Sequence, residues 1–555
     1  MQSSKTISIS YRILKIVGLS LLVLPLMIFL FFFVKRIISI PVIILLALAC
    51  YLAIQNQGDD KRFLHIEIKQ LLLIFLVCLV WCYFGGQGGY FYQTSDWNER
   101  NAIFRDLITN KWPVYYSGTN TALTYYIGHW LPAALIGRTF YSFTGLLDVA
   151  WTLGNTSLLI WTALSVFICI LLLLQYISAN TSKLQWLVIG IMIFFSGLDI
   201  IGCFIQEWNF QSFASILHLE WWLEGFQFSS NTTCLFWVYN QAVPAWIATL
   251  LFLNEKSNKM YALIIVCTLI SAPLPCVGLA VYMVGNAIYN LIVAIKHQCL
   301  KNYLKETFTL TNIISVLFVF PILALYFMTN SALEKSNVTQ IQNSQINHYA
   351  IYLLIIGTLL IFLQKFFVRK IIPEVYALSI MSIIVACIML LNPRLDYKYV
   401  LFLLLEVGFH LLVISSEKYK CVFYYLTILL FFIAPTIKIG IGSDFCMRST
   451  IPATIILMTM YIETLIKWLD NKNQSRKSPY KIKLLCAITI LVIGMATPIM
   501  EFYRGIYKVT EAQRLNLIAD DIYTLNQYHS SGNVYGNFVS ENYSDSIFFK
   551  YLAQR

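Results

Sequence analysis

Charged side chains are scarce in this 555-residue sequence, because Asp, Glu, Lys and Arg together make up only 12% of it. A soluble globular domain contains about 25% charged residues. Hydrophobic residues account for 59% of the chain, and its mean hydropathy is +0.70. The shortage of charge excludes a soluble enzyme, a disordered protein and a coiled coil, and it indicates a membrane protein.

Sequence patterns of zinc sites and disulfide frameworks are also absent. The 13 cysteines are scattered, mostly within apolar segments, and no Cys-x-x-Cys pair occurs. Buried thiols act as small hydrophobic groups, so we predict neither a zinc site nor disulfides. No basic and aromatic stripe lies outside the apolar segments, which argues against a nucleic-acid partner. The net charge of +12 is better explained by Lys and Arg beside membrane spans.

Long apolar segments are abundant, and each of them is a candidate helix across the ~30 Å hydrocarbon core. The first is followed by Lys35 and Arg36 instead of a cleavage site, so we interpret it as a retained span. We expect an all-α, polytopic transmembrane bundle of about 13–15 spans, with a membrane domain over 1–500 and a small outer tail over 501–555. Segment 121–138 is either a further span or an interfacial helix. The predicted spans are 17–34, 38–54, 70–84, 157–177, 185–206, 234–253, 260–273, 276–296, 309–328, 350–366, 373–391, 398–415, 421–439, 450–467 and 483–500.

The distribution of Lys and Arg predicts the orientation of these spans, because cytoplasmic loops are enriched in both residues. With the N-terminus inside and the C-terminus outside, 23 of the 39 basic residues lie in inner segments, 11 in outer loops and 5 in the tail. Inner loops are then short and basic. The outer loops hold most other polar residues, so we expect the function to face outward.

The first outer loop, 85–156, holds the densest group of polar residues. Its glycines permit a sharp turn off the preceding span. Ser95 or Asp96 suits the cap of a new helix, with Glu99 and Arg100 in its first turn. Two carboxylates beside an arginine suit base chemistry on a hydroxyl and the binding of a phosphate. The alternative is a capped amphipathic helix with solvated charges.

Other outward residues are weaker candidates. His129 is either a base or a packing residue. Glu220 and Glu224, beside tryptophans, suit sugar binding or an interfacial belt. Asn240 and Gln241 lie within a span, where amides need partners, and a polar cavity would supply them.

Late outer loops contain three candidate cations, of which Arg448 suits a lipid phosphate. Arg394 and Lys398 share a short turn, and Arg448 stands at the start of a span. Arg448 is alternatively an interfacial residue that extends towards headgroups. Glu406 and His410, four residues apart in one span, are either a proton relay or a structural pair.

This layout resembles that of the C-type fold glycosyltransferases (GT-C), which are polytopic membrane enzymes. The segments concerned are Trp97-Asn-Glu-Arg-Asn-Ala-Ile103 and Phe445-Cys-Met-Arg-Ser-Thr-Ile-Pro-Ala453, which look like parts of bacterial membrane proteins of this type. The resemblance implies a bacterial inner-membrane location and a polyprenyl-phosphate sugar donor used on the outer face. It implies catalytic roles for Asp96 and Glu99, and phosphate binding by Arg394, Lys398 and Arg448.

Three features depart from that family. Three predicted spans precede the acidic loop, where many members have one, and the tail is small. No Asp-x-Asp or Glu-x-Asp motif is present, so no cofactor is predicted and a role for a divalent metal stays open.

The expected function is therefore a membrane glycosyltransferase whose partners are the bilayer, a lipid-linked sugar donor and a glycan or lipid acceptor. One alternative is a transporter or flippase of lipid-linked or small polar substrates. Another is a polymerase or ligase of the O-antigen type.

Overall fold

Of the residues that the structure describes, 78% are helical, as the scarcity of charge and the long apolar segments predict. The computed structural model describes residues 6–55, 62–116, 118–206, 218–334, 347–368, 371–439, 443–470, 478–512, 522–531 and 533–554. Because a helix satisfies its own backbone groups, it is the natural way for an apolar chain to cross a bilayer. The predicted all-α membrane bundle is confirmed.

Twelve helices among the described residues are long and apolar enough to cross a membrane. Three shorter apolar helices, Ile68–Phe84, Asn258–Leu269 and Val422–Thr436, complete the set. Each of the fifteen predicted spans overlaps one of these helices. The twelve are Tyr11–Phe33, Arg36–Gln55, Leu147–Ile177, Ser182–Ile205, Asn231–Asn254, Pro273–Lys296, Leu310–Phe327, His348–Phe366, Pro373–Leu391, Tyr397–Lys418, Ile451–Asp470 and Tyr480–Thr510.

Segment 121–138 does not form a span. It begins as the strand Thr121–Leu123 and continues through a 3-10 turn into the helix Leu131–Thr144. That helix has 14 residues and is therefore about 21 Å long, which is too short to cross the hydrocarbon core. It ends at Gly145, whose φ of +69° is easily adopted by glycine.

The helix Asn231–Asn254 lies at the centre of the bundle. Its mean hydropathy is the second lowest of the twelve at 1.3, yet 94% of its most apolar stretch is buried inside the protein. Other helices therefore surround it and shield its polar side chains from lipid. Its N-terminus is capped by the Ser230 hydroxyl, which accepts a hydrogen bond from the backbone N–H of Thr233 at 3.0 Å.

Two small antiparallel sheets, which the sequence analysis did not predict, stand at opposite ends of the bundle. Thr6–Ser10 pairs with Phe63–Glu67 at the end where the first span begins. At the other end, Tyr115–Tyr116 and Thr121–Leu123 pair with each other, and the tail strand Val539–Glu541 joins them. The tail is thereby attached to the first long loop.

Candidate functional site

A cavity of about 480 Å³ opens at the end of the bundle that holds the three-stranded sheet. We call it the outer cavity. Five charged side chains line it, together with an aromatic wall that includes Phe327 and Phe538. Both the first long loop and the segment before the span Ile451–Asp470 contribute to it. The charged residues are Asp96, Glu99, Arg100, Asp444 and Arg448.

The helix Trp97–Thr109 of the first loop positions three of these residues. It follows a turn in which Gly86, Gly88 and Gly89 adopt positive φ angles. The Trp97 indole is buried, stacks on a tyrosine ring of the central helix at 4.8 Å and donates a hydrogen bond to the Phe236 carbonyl at 3.1 Å. These contacts fix the first turn of the helix at the cavity.

Asp96 stands at the helix start, as predicted, but its side chain does not cap the helix. Its carboxylate instead accepts a hydrogen bond from Arg100 Nη2 at 3.0 Å. Arg100 is 5% exposed and Asp96 is 46% exposed. The pair therefore places a buried cation behind an accessible carboxylate at the cavity.

Arg448 forms a second Asp–Arg pair across the cavity. Its Nη2 lies 3.0 Å from Asp444 Oδ1, and its Nη1 donates a hydrogen bond to the Tyr126 hydroxyl, which also accepts one from Tyr125. Burial alone would lower the Arg448 pKa, but the Asp444 carboxylate and the two tyrosines raise it above its usual value. The guanidinium is therefore charged at every physiological pH.

Glu99 lies beside the first pair and is partly buried. Burial raises the pKa of Glu99 above its usual value, and the neighbouring Asp96 acts in the same direction, while Arg100 opposes it. Beside the accessible Asp96 carboxylate, which is bonded to Arg100, the cavity therefore contains the Glu99 carboxyl, whose pKa is raised by burial.

Several residues predicted for the site lie away from the outer cavity. His129 is buried, with Nε2 at 3.0 Å from the Thr162 hydroxyl. Glu220 accepts hydrogen bonds from Ser229 Oγ at 2.6 Å and from the Ser230 backbone N–H at 2.9 Å. Burial raises the pKa of Glu220. Its contacts hold the start of the central helix, while Glu224 is exposed.

Asn240 and Gln241 are buried in the central helix rather than at the cavity surface. The Asn240 Nδ2 and both polar atoms of the Gln241 amide have no hydrogen-bond partner among the residues that the structure describes. Arg394 and Lys398 are exposed and do not line the outer cavity. The structure thus brings Asp96, Glu99, Arg100 and Arg448 together and leaves the other candidates elsewhere.

Sequence reasoning missed three contributors to the outer cavity. Tyr126 binds Arg448, Asp444 pairs with it, and Phe538 comes from the tail. The spacing of four residues between Asp444 and Arg448 on one helix was a usable signal. No local pattern links Phe538 to the first loop, because that contact depends on the sheet formed by distant strands.

Within the described ranges, no group of three or more His, Cys, Asp or Glu side chains is arranged to hold a metal ion. Comparison with protein-family models, with curated proteins and with solved structures finds no match to this chain.

Proposed function

We propose that this membrane protein is a transferase that uses a lipid-linked phosphate sugar in the outer cavity. One observation carries the proposal: two buried arginines and three carboxylates line the same cavity at one end of a membrane bundle. An anionic group with a long apolar tail suits such a site, because the cavity supplies cations and the bilayer receives the tail.

Arg100 and Arg448 would bind the phosphate of the donor. Arg100 Nη1 and Arg448 Nε have no hydrogen-bond acceptor among the described residues, and guanidinium donors pair well with phosphate oxygens. Donors fixed in place before the ligand arrives stabilise developing charge without reorganisation. Arg100 thus replaces Arg394 and Lys398 in the role that the sequence suggested for them.

Asp96 would act as the general base. An acceptor hydroxyl oxygen attacks the anomeric carbon of the donor sugar, and its proton passes to the Asp96 carboxylate. The bond between that carbon and the phosphate oxygen breaks, and the lipid phosphate leaves with the electron pair. Glu99 would hold the acceptor, and the aromatic wall would stack on sugar rings.

Binding of undecaprenyl phosphate to the purified protein tests the phosphate site, with undecaprenol as the neutral control ligand. We expect the phosphate to bind at least ten times more tightly than the alcohol. Arg448→Gln and Arg100→Gln should each weaken phosphate binding by about 10- to 100-fold, since hydrogen bonds to charged groups contribute about 1.5–3 kcal/mol. Lys111→Gln, which removes an exposed cation outside the cavity, should leave it unchanged. Equal binding of the two lipids would refute the proposal.

A transporter is the second candidate, and one observation favours it. The span Ser182–Ile205 is interrupted at residues 195–198, and the span Tyr397–Lys418 has a π-helical segment at Leu404–Gly408. Interrupted helices with ionisable residues are typical of transporter binding sites. Substrate uptake that is lost in Glu406→Gln but kept in Asp96→Asn would favour this candidate over the transferase.

A further inference from the structure

A second cavity, of about 400 Å³, lies at the opposite end of the bundle from the outer cavity. We call it the lateral groove. Three helices and the loops between them, Tyr261–Leu269, Pro273–Lys296 and Leu310–Phe327, contribute its walls. Asn258, on its rim, follows the end of the central helix, where Arg62 Nη2 donates to the Asn254 carbonyl at 2.9 Å. The groove therefore shares its end of the bundle with the two-stranded sheet.

The surface of the lateral groove is almost entirely apolar. Two of its residues are strongly exposed, with Phe308 at 67% and Leu317 at 62%. Ala262 and Ala287 keep the groove open because their side chains are small. A groove of this kind beside a bilayer accommodates a hydrocarbon chain.

Hydrogen bonds fix the rim of the lateral groove. The Asn312 amide donates to the Asn258 and Thr307 carbonyls, each at 2.8 Å. The Tyr303 hydroxyl donates to the Ala287 carbonyl at 2.8 Å. These hydrogen bonds hold the rim in place, and the groove exists without a ligand. A preformed groove avoids the entropic cost of ordering its walls on binding.

The short helix Leu300–Thr307 brings positive charge to the rim. Lys301 and Lys305 are exposed on it, and Leu304 is 41% exposed. A helix with exposed leucine and lysine side chains suits the interface between headgroups and hydrocarbon. Glu306 is the acidic residue of this helix, and it is paired with Lys259 at 3.5 Å. The helix therefore presents uncompensated cations to a headgroup.

We propose that the lateral groove binds one anionic phospholipid. One acyl chain occupies the groove against Val316 and Leu317, and the phosphate lies beside Lys301 and Lys305. The charge of this helix selects an anionic headgroup over a zwitterionic one. This site is independent of the outer cavity and of the transferase proposal.

The test uses the full-length protein in nanodiscs of equal parts phosphatidylglycerol and phosphatidylcholine, with retained lipids counted by native mass spectrometry. We expect the wild-type protein to retain one phosphatidylglycerol in preference to phosphatidylcholine. Ala287→Trp, which fills the groove, and the double variant Lys301→Gln with Lys305→Gln should each reduce that retention at least fivefold. The lysine variant alters only exposed side chains, so it remains informative where the tryptophan variant fails to fold.

Two matched controls accompany these variants. Ile292→Trp lies on the same helix as Ala287, is 59% exposed and does not line the groove. Lys183→Gln removes an exposed cation from the start of the span Ser182–Ile205. Both should retain the lipid as the wild type does. Equal retention of the two lipids by the wild type, or unchanged retention in both groove variants, overturns the proposal.

Discussion

Arg100 and Arg448 are cations that are each more than nine-tenths buried. A buried cation is costly unless it is paired. Each arginine has an aspartate four residues before it, at 3.0 Å, so the two pairs have the same spacing on two separate helices. Each pair keeps a guanidinium in place at the cavity surface, where under the proposed function it would bind the donor phosphate.

Asp96 is the residue whose substitution tests the chemistry most directly. In Asp96→Asn the amide keeps the shape of the side chain but accepts no proton. We expect the turnover of a lipid-linked sugar donor to fall by about 10²- to 10⁴-fold, which is the usual contribution of a general base. Undecaprenyl phosphate binding should change by less than tenfold, and both are measured on the same purified sample.

Glu99→Gln is the matched comparison for Asp96→Asn, since it neutralises a neighbouring carboxylate on the same helix turn. It should lower turnover by no more than about tenfold, as expected for a residue that positions the acceptor. A larger loss in Glu99→Gln than in Asp96→Asn would transfer the role of base to Glu99.

Only part of this site was predictable at the level of single residues. Asp96, Glu99, Arg100 and Arg448 are recognisable because charges are rare in so apolar a chain. Arg394 and Lys398 have the same local character, yet they are exposed on another loop. The type of a residue and its predicted side of the membrane do not determine which of the two late outer loops packs against the first outer loop.

The helix Trp97–Thr109 is tied to the tail of the chain through Asp106. Its Oδ2 accepts hydrogen bonds from the Tyr116 hydroxyl at 2.6 Å and from the Leu525 backbone N–H at 3.0 Å. One buried carboxylate therefore joins the helix, the outer sheet and the tail. Burial raises the pKa of Asp106 from 3.8 to about 6, although both hydrogen bonds act to lower it.

This raised pKa predicts how stability changes with pH. Between pH 4 and 6 the folded protein binds more protons at Asp106 than the unfolded chain does, so this residue makes the fold less stable as pH rises. In Asp106→Asn the penalty is absent while the oxygen acceptor remains. Relative to the wild type, the variant should gain about 3 kcal/mol between pH 4 and pH 7. Thermal unfolding of both proteins across that range measures this gain. A stability difference that is the same at pH 4 and at pH 7 would contradict the prediction.

Glu406 and Asp199 join two interrupted spans. The Glu406 carboxyl lies within hydrogen-bonding reach of Asp199 and accepts from Trp222 Nε1 at 2.8 Å. Asp199 Oδ2 accepts from Ser196 and Thr497, while its Oδ1 has no partner among the described groups that donate hydrogen bonds. Two carboxylates buried side by side repel each other unless a hydrogen bond joins them.

Glu406→Gln should preserve stability, because its amide N–H can donate to the Asp199 carboxylate. Glu406→Leu should lower the free energy of unfolding by about 3–5 kcal/mol, since it leaves a buried Asp199 carboxylate without that partner. The melting temperatures of the two variants in one detergent measure the difference. The exposed Glu224→Leu is the control for loss of a glutamate, and equal melting temperatures for Gln and Leu at position 406 would exclude a stabilising contact between residues 406 and 199.

Elements long enough to span the membrane were predictable, and the short strands were not. Fifteen apolar segments correspond to helices because hydropathy alone identifies them. The strands Thr121–Leu123 and Val539–Glu541 have three residues each, too few for a periodic pattern. Their pairing joins residues more than 400 positions apart, which depends on tertiary packing.

The two cavities divide the whole molecule into two chemically different ends. The outer cavity has paired charges and an aromatic wall, whereas the lateral groove is apolar with lysines at its rim. Of the 39 Lys and Arg residues, 23 lie in the segments that the sequence predicts to be inner, and this excess predicts that the end with the lateral groove faces the cytoplasm. The proposed lipid-linked sugar donor would then be used on the outer face of the membrane.

Thiol labelling of intact cells tests this orientation, and the chain supplies one reporter. Cys299 is exposed beside the helix Leu300–Thr307, whereas the exposed Cys387 and Cys486 lie within spans. A membrane-impermeant maleimide should label Cys299 only after the cells are broken, because the predicted inner side is closed to it. The variant Lys111→Cys, altered in the first outer loop, should be labelled in intact cells, and Cys299→Ser gives the background.

If intact cells show labelling at Cys299 and no additional labelling in Lys111→Cys, the topology is inverted and the outer cavity faces the cytoplasm. A lipid-linked donor used on the outer face would then be excluded.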